Sequence, residues 1–297
     1  MKRLPASAPG GAASASNRES APGDDAGLGA GTGQALVRLG VASGIASVTL
    51  ARPGMHNALV PELLLDLCVA LETVGRRDDV RCVLLLAEGP AFSIGGDMRR
   101  FALEMRGPGL QSYAAELVGL LNQAVLSLMR LPQPVIAGVH GLVTGGSLGL
   151  VLGCDLAIAS RDARFKAHYA SAGFSPDGGW TALLPMLAGT RRAAAGLLLN
   201  RTIDADEALD WGLVNELAPS QALPGVLQAA ARRIAQAPVA TMRRSKRLLL
   251  GELDRVETAL ERERRSFIET IVGEQARRGV ERFLRDFSSY PCDVAPP

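Results

Sequence analysis

Two glycine-rich runs decide how the chain is read: Ala91-Phe92-Ser93-Ile94-Gly95-Gly96-Asp97-Met98 and His140-Gly141-Leu142-Val143-Thr144-Gly145-Gly146-Ser147-Leu148-Gly149. The first follows residues 80–87, which are apolar apart from Arg81 and of buried-strand length. The second leaves a short apolar strand over 135–139 and enters a small-residue helix over 147–153. Each run alone says little, because glycine clusters mark turns of every kind. Phosphate binding is one alternative. Neither run, however, has the Lys-Ser/Thr ending of a P-loop or the spacing of a dinucleotide fingerprint.

Outward from these runs the pattern alternates. Residues 35–41 and 46–51 read as two strands joined at Ser43-Gly44. Arg52-Pro53-Gly54 breaks the second. Residues 61–74 carry Leu63, Leu64, Leu67 and Leu71 on one helical face. Residues 110–131 have helical period and stop before Pro132. Residues 155–159 form a further strand. Strands alternating with helices imply crossover units and an α/β sheet with buried faces. From Thr190 the chain becomes almost wholly helical and Arg-rich, with candidate helices over 223–236, 240–253 and 256–273. The expected organisation is a leader over 1–34, a core over 35–222 and a helical region over 223–297.

The chain has 297 residues, 47% of them hydrophobic, which is enough to bury one large core. Its net charge of +2 does not suggest a nucleic-acid binder. No stretch is apolar for long enough to span a membrane. The Ala-, Ser-, Gly- and Pro-rich leader has no signal-peptide core and reads as disordered. Cys68, Cys82, Cys154 and Cys292 lack metal-ligand or close-paired spacing. They read as reduced thiols of a cytoplasmic protein. His56, His140 and His168 are too scattered to suggest a metal. Arg232, Arg233, Arg243, Arg244, Lys246 and Arg247, with Glu252, Asp254, Glu257, Glu261 and Glu263 beyond them, read as a solvated, ion-paired helix face.

Taken together and in order, the motifs resemble the enoyl-CoA hydratase/isomerase (crotonase) family. Val48 to Pro53 followed by Asn57-Ala58-Leu59 is similar to its first strand and coenzyme A loop. The runs around Gly95-Gly96 and Gly145-Gly146, the latter preceded by Pro134-Val135-Ile136-Ala137 and followed by Cys154-Asp155, are similar to its two oxyanion segments. Ala205-Asp206-Glu207-Ala208 with Trp211-Gly212-Leu213-Val214 is similar to a later helix-turn signature. The resemblance spans residues 37 to 283. It implies a ββα spiral core with a C-terminal helical trimerisation region, an acyl-CoA thioester as substrate, no separate cofactor, and a homotrimer or dimer of trimers. It also implies that the amides of Gly96 and Gly146 stabilise a thioester enolate. Two preorganised N–H donors are worth roughly 3 kcal/mol each in comparable sites. Met55, His56 and Ala58, with Ser93, Gly95, Asp97, Met98 and Arg99, fall in the segments that would hold the substrate. Arg99 falls where the family places a cation near the coenzyme A phosphates, and Asp97 also reads as a helix N-cap.

The resemblance fails at the hydratase carboxylates. A hydratase carries one glutamate at the position of Gly149 and another at the position of Tyr169. A different carboxylate is available in Ser175-Pro176-Asp177-Gly178-Gly179-Trp180, which resembles the Pro-Asp-x-Gly-Gly segment of family isomerases. Asp177 is the candidate base, since one carboxylate can move a proton between two carbons. The competing reading makes it a turn residue or the N-cap of a helix over 179–187. Tyr169 reads as a hydrogen-bond donor or an acyl-pocket wall. His168 points away from it if 165–169 is extended, and His140 reads as structural. Isomerisation of an enoyl-CoA is the leading expectation. The alternatives are hydratase-like chemistry, aryl-CoA dehalogenation (for which this chain lacks the helper histidine, having none between Arg99 and Val139) and a non-catalytic CoA-binding protein.

Overall fold

The computed structural model describes residues 35–287. β1 (Val37–Ala42) and β2 (Ile45–Leu50) form the expected hairpin, with Val37 opposite Leu50. Ser43 and Gly44 both take positive φ, as a two-residue hairpin turn of this hand requires. α1 (Pro61–Gly75) starts on a proline and buries Leu63, Leu64, Leu67 and Leu71. β3 (Cys82–Ala87) pairs parallel to β2, and β4 (Val135–Val139) parallel to β3. Between these strands lie α2 (Met98–Glu104) and the long α3 (Leu110–Arg130), which packs on α1.

From β4 onward the chain feeds two sheets in turn. β5 (Leu142–Thr144), β7 (Arg164–Lys166) and β8 (Thr202–Asp204) make a small sheet. β6 (Leu156–Ser160) and β9 (Glu216–Ala218) complete a six-stranded sheet of order β1-β2-β3-β4-β6-β9. This shuttling winds the spiral core. It falls to short helices to make the returns: α4 (Leu148–Leu152), α5 (Tyr169–Ala172), α6 (Leu184–Ala188), α7 (Thr190–Leu198) and α8 (Ala205–Asp210). Asp204 caps α8 in a reciprocal box with Glu207.

Four helices follow: α9 (Leu223–Gln236), α10 (Val239–Leu250), α11 (Leu253–Ile271) and α12 (Glu274–Phe287). α9 lays Leu223, Leu227, Ala231 and Ala235 against Cys82, Leu84, Ile136 and Ile158, covering one face of the large sheet. α11 packs on α3, and α12 returns to α2 and α5. The structure corrects three expectations here. The almost wholly helical stretch from Thr190 is interrupted by two short strands, β8 and β9. The break in the C-terminal helices falls at Gly251, whose φ of 60° ends α10. The charged face is not wholly solvated: Lys246 and Glu263 are buried. Lys246 Nζ lies 2.7 Å from Asp155 and donates to the carbonyls of Leu128 and Gln133. No helix among the described residues is long and apolar enough to cross a membrane, and the leader expectation and Cys292 lie outside the described residues.

Candidate active site

The two glycine runs lie side by side. Gly95 has a φ of +76°, and a Cβ there would sit 2.6 Å from the carbonyl oxygen of Thr144. Only glycine satisfies both constraints. Isolated bridges between Leu59 and Gly96 and between Ser93 and Val143 tie the first run to its neighbours. The Leu59 amide donates to Gly95 and the Asp97 amide to Leu59, leaving the Gly96 N–H between them without an acceptor among the described residues. Gly146 lies within the single turn Gly145–Ser147 that leads into α4, and its N–H is likewise unclaimed there. Both glycines line one cavity of about 300 Å³.

That cavity is apolar on most sides, with Phe101, Phe174, Phe267 and Phe283 on its wall and Leu117 and Leu121 deeper along α3. Its polar groups include Asp177, Tyr169 and His168. Asp177 is buried. Its Oδ1 would lie only 2.8 Å from a Cβ on Gly146, so the carboxyl sits directly against that glycine. The Tyr169 hydroxyl donates to Oδ1 at 2.5 Å and to the Asp177 carbonyl at 3.0 Å. Burial pushes the Asp177 carboxyl up to about 7; the Tyr169 hydrogen bond opposes that rise and the Glu263 charge adds to it. Burial, then the neighbouring Asp177, holds Tyr169 well above its ordinary value, so it remains a donor.

The helix expected over 179–187 starts late, at Leu184. The backbone first turns at Gly178 (φ 60°) and Gly179 (φ 88°). Asp177 therefore caps no helix, and its side chain is turned to Tyr169. The same turn fills the space beside Gly149, the position where the resemblance would put a hydratase glutamate. A Cβ on Gly149 would meet the Gly178 carbonyl oxygen at 2.4 Å, so the 175–180 segment occupies the space that a side chain there would need. Trp180 locks the segment down by donating from Nε1 to the Gly145 carbonyl at 2.7 Å.

His168 is a second correction. Its φ of 62° ends the extended run, and α5 starts at Tyr169. Strand alternation no longer applies, and both side chains border the cavity. Burial, helped by Lys166, lowers the His168 pKa to about 4, so the ring is neutral at pH 7.

The remaining candidates divide. Met98 and Gly95 line the cavity, whereas Met55, His56, Ala58, Ser93, Asp97 and Arg99 do not. Ser93 is buried and donates to the Asn57 carbonyl. Asp97 caps α2 through the amides of Arg99 and Arg100 and pairs with Arg52 at 3.0 Å. Arg52 also donates to the Ala58 carbonyl. These contacts brace the 52–58 loop against the first glycine run, leaving Met55 and His56 half-buried and Arg99 exposed on the outer side. His140 bonds to the Gly89 carbonyl, as a structural residue does. Among the described residues no three His, Cys, Asp or Glu side chains converge to hold a metal.

Sequence reasoning missed Glu263. Both its oxygens accept from the 179–182 segment: Gly179 N at 2.7 Å, Thr181 N and Oγ1 at 2.6 Å, and Ala182 N at 2.9 Å. The signal was present, since Val256, Leu260, Glu263, Phe267 and Ile271 share the buried stripe of α11.

A free pair of glycine amides beside a buried carboxyl can hold an oxyanion and move a proton. Comparison with known proteins gives this geometry its setting. A model of the enoyl-CoA hydratase/isomerase family matches residues 40–288. The chain is 32% identical over 247 residues to 1,2-epoxyphenylacetyl-CoA isomerase of Escherichia coli (strain K12), covering 82% of this chain and 93% of that protein. It is 34% identical over 232 residues to 4-chlorobenzoyl coenzyme A dehalogenase-2 of an Arthrobacter species, covering 77% and 83%. The crystal structure of an enoyl-CoA hydratase/isomerase from Pseudoalteromonas atlantica T6c superposes with a TM-score of 0.74 at 28% identity, covering 84% of this chain and 97% of that one. With the crotonase fold, both glycine amides and the family match in hand, the chain belongs to the enoyl-CoA hydratase/isomerase family and is an acyl-CoA enzyme.

Proposed function

We propose that the protein is an enoyl-CoA isomerase that shifts a double bond along its acyl chain, with Asp177 as the proton-carrying group. The observation that carries this reading is the buried Asp177 carboxyl set against Gly146, while the hydratase position at Gly149 has no room for a side chain. The thioester carbonyl would accept from the Gly96 and Gly146 amides. Asp177 takes a proton from the α-carbon of a β,γ-unsaturated acyl group, and the electron pair spreads into a dienolate whose oxygen the two amides stabilise. The same carboxyl then returns the proton to the γ-carbon, leaving the double bond at α,β. Tyr169 keeps Asp177 oriented by its hydrogen bond. A carboxyl whose pKa lies near 7 both accepts and returns a proton readily near neutral pH.

In this reading Met55, His56 and Ala58 border the coenzyme A, Arg99 meets its phosphates from the exposed side, and the phenylalanine wall receives an apolar acyl group. The protein works in the cytoplasm as a homotrimer or dimer of trimers. A panel of acyl-CoA thioesters followed for double-bond migration, hydration and halide release tests the assignment. Isomerisation exceeding hydration, and lost in Asp177→Asn with thioester binding retained, is the expected result. Faster hydration, halide release from an aryl-CoA, or binding with no turnover of any thioester would overturn it.

A further inference from the structure

α11 grips the segment that carries Asp177 at two points. On one side the Thr270 hydroxyl accepts from the Ser175 amide at 3.0 Å, and the Ser266 and Ser175 hydroxyls lie 2.7 Å apart. On the other, Glu263 takes four hydrogen bonds from residues 179 to 182. Asp177 lies between these clamps. Glu263, Ser266, Phe267 and Thr270 follow one another at helical spacing, and Phe267 itself lines the cavity. Glu263 is buried, and among the described residues no cation pairs with it. A carboxylate held in the interior by neutral donors alone is a costly way to pin a turn, and its uncompensated charge reaches its neighbours.

We propose that Glu263 is a positioning residue for the proton transfer: it fixes the Gly178-Gly179 turn that sets Asp177 against Gly146, and it places a buried carboxylate beside that turn. The inference rests on Asp177 being the base. The other groups facing Asp177 are the Tyr169 hydroxyl from α5, His168 before it, and Arg282 and Asp286 of α12 across the same cavity. Asp286 is the one carboxylate among them, and it is Glu263 that is bonded to Asp177's own turn. The rise of the Asp177 pKa to about 7, caused first by burial and in part by Glu263, agrees with this geometry.

The test compares Glu263→Gln, Glu263→Asp and Asp177→Asn in the full chain, measuring kcat, KM and the pH profile on an isomerised thioester. Glu263→Gln removes the charge and half the acceptor capacity. Its kcat falls roughly 10- to 100-fold, as misplacing a reacting group does, KM changes little, and the acid limb of kcat/KM moves to lower pH. Glu263→Asp keeps the charge but shortens the reach, so kcat falls while the acid limb stays near its original place. A kcat and acid limb both unchanged in Glu263→Gln, with only the melting temperature lowered, would show a structural staple and overturn the inference. If neither variant folds, Thr181→Val removes one donor to Glu263 and carries the same test: kcat falls at constant KM, and an unchanged kcat overturns the proposal. Full turnover in Asp177→Asn would instead defeat the base assignment, whereas an inactive Asp177→Asn beside an unaffected Glu263→Gln defeats only the role given to Glu263.

Discussion

Asp177 links activity and stability in opposite directions. As the proposed base it would work only when ionised, so kcat/KM should rise with pH through a value near 7, where burial has placed the carboxyl. Asp177→Asn should lower turnover by about 100-fold or more, the usual scale for losing a general base, and abolish that limb. For stability the sign is fixed by which state holds the proton. The folded pKa is raised above the ordinary 3.8, so the unfolded chain releases its proton first. The folded state then loses stability as pH climbs from about 4 to about 7, and no further above that. Asp177→Asn escapes this loss. Its melting temperature should exceed the wild type's at pH 8 by an amount worth on the order of a few kcal/mol, and the gap should close towards pH 4. Equal pH dependence of melting in the two proteins would contradict the raised pKa. Gly149 gives a complementary prediction. Gly149→Ala places a methyl where the Gly178 carbonyl already lies 2.4 Å away, so overpacking should cost about 1–3 kcal/mol and lower isomerisation by shifting Asp177. Gly149→Glu should not confer hydration. Calorimetry and a hydration assay check the pair, and new hydratase activity in Gly149→Glu would sink the steric argument.

At the scale of elements, α12 closes the cavity from its own chain, with Gly279, Arg282 and Phe283 on the lining. Its approach to α5 is so close that a Cβ on Gly279 would lie 1.9 Å from the Ala172 carbonyl oxygen. Gly279→Ala should therefore lift α12, raise KM for the thioester more than it lowers kcat, and expose the segment after residue 274 to protease. An unchanged KM would mean that α12 does not cover the ligand. What the sequence reveals at this scale follows periodicity. α1, α3 and α9 carry apolar stripes over several turns and are legible to within a residue or two at most ends, as are the hairpin and the buried strands β3 and β4. β5, β7, β8 and β9 have three residues each and show no period. They exist because neighbouring strands supply their partners. The site divides the same way. Gly96, Gly146 and Asp177 stand in short motifs that a reader can find. Glu263 owes its role to a contact across 84 residues of chain: its place on the apolar stripe of α11 signals burial, but nothing local names the 179–182 segment as its partner.

For the whole molecule the question is what covers the leucines that one chain leaves exposed. Leu248 and Leu249 at the end of α10 are 83% and 87% exposed, and Leu198 and Leu199 at the end of α7 stand out beside Met186 and Leu187 of the adjoining α6. Single exposed leucines need no explanation, but paired ones on two surfaces are costly to leave in water and suit contact between copies. The near balance of charge, +2 overall, sets little repulsion against such association. A homotrimer or dimer of trimers is the expected assembly, and light scattering at micromolar concentration should return three or six times the mass of the chain. A double substitution, Leu248→Asp with Leu249→Asp, should lower that mass. Phe267 of α11 and Phe283 of α12 line the cavity together with Gly96, Gly146 and Asp177 of the same chain. The dissociated variant should therefore keep most of its turnover per site while losing thermal stability. A stable wild-type monomer would refute the assembly outright. A dissociated variant that stays folded but inactive would show instead that a neighbouring copy completes the site, and would place the missing contact on the outer side of the 55–58 loop and Arg99, where the coenzyme A is expected to lie.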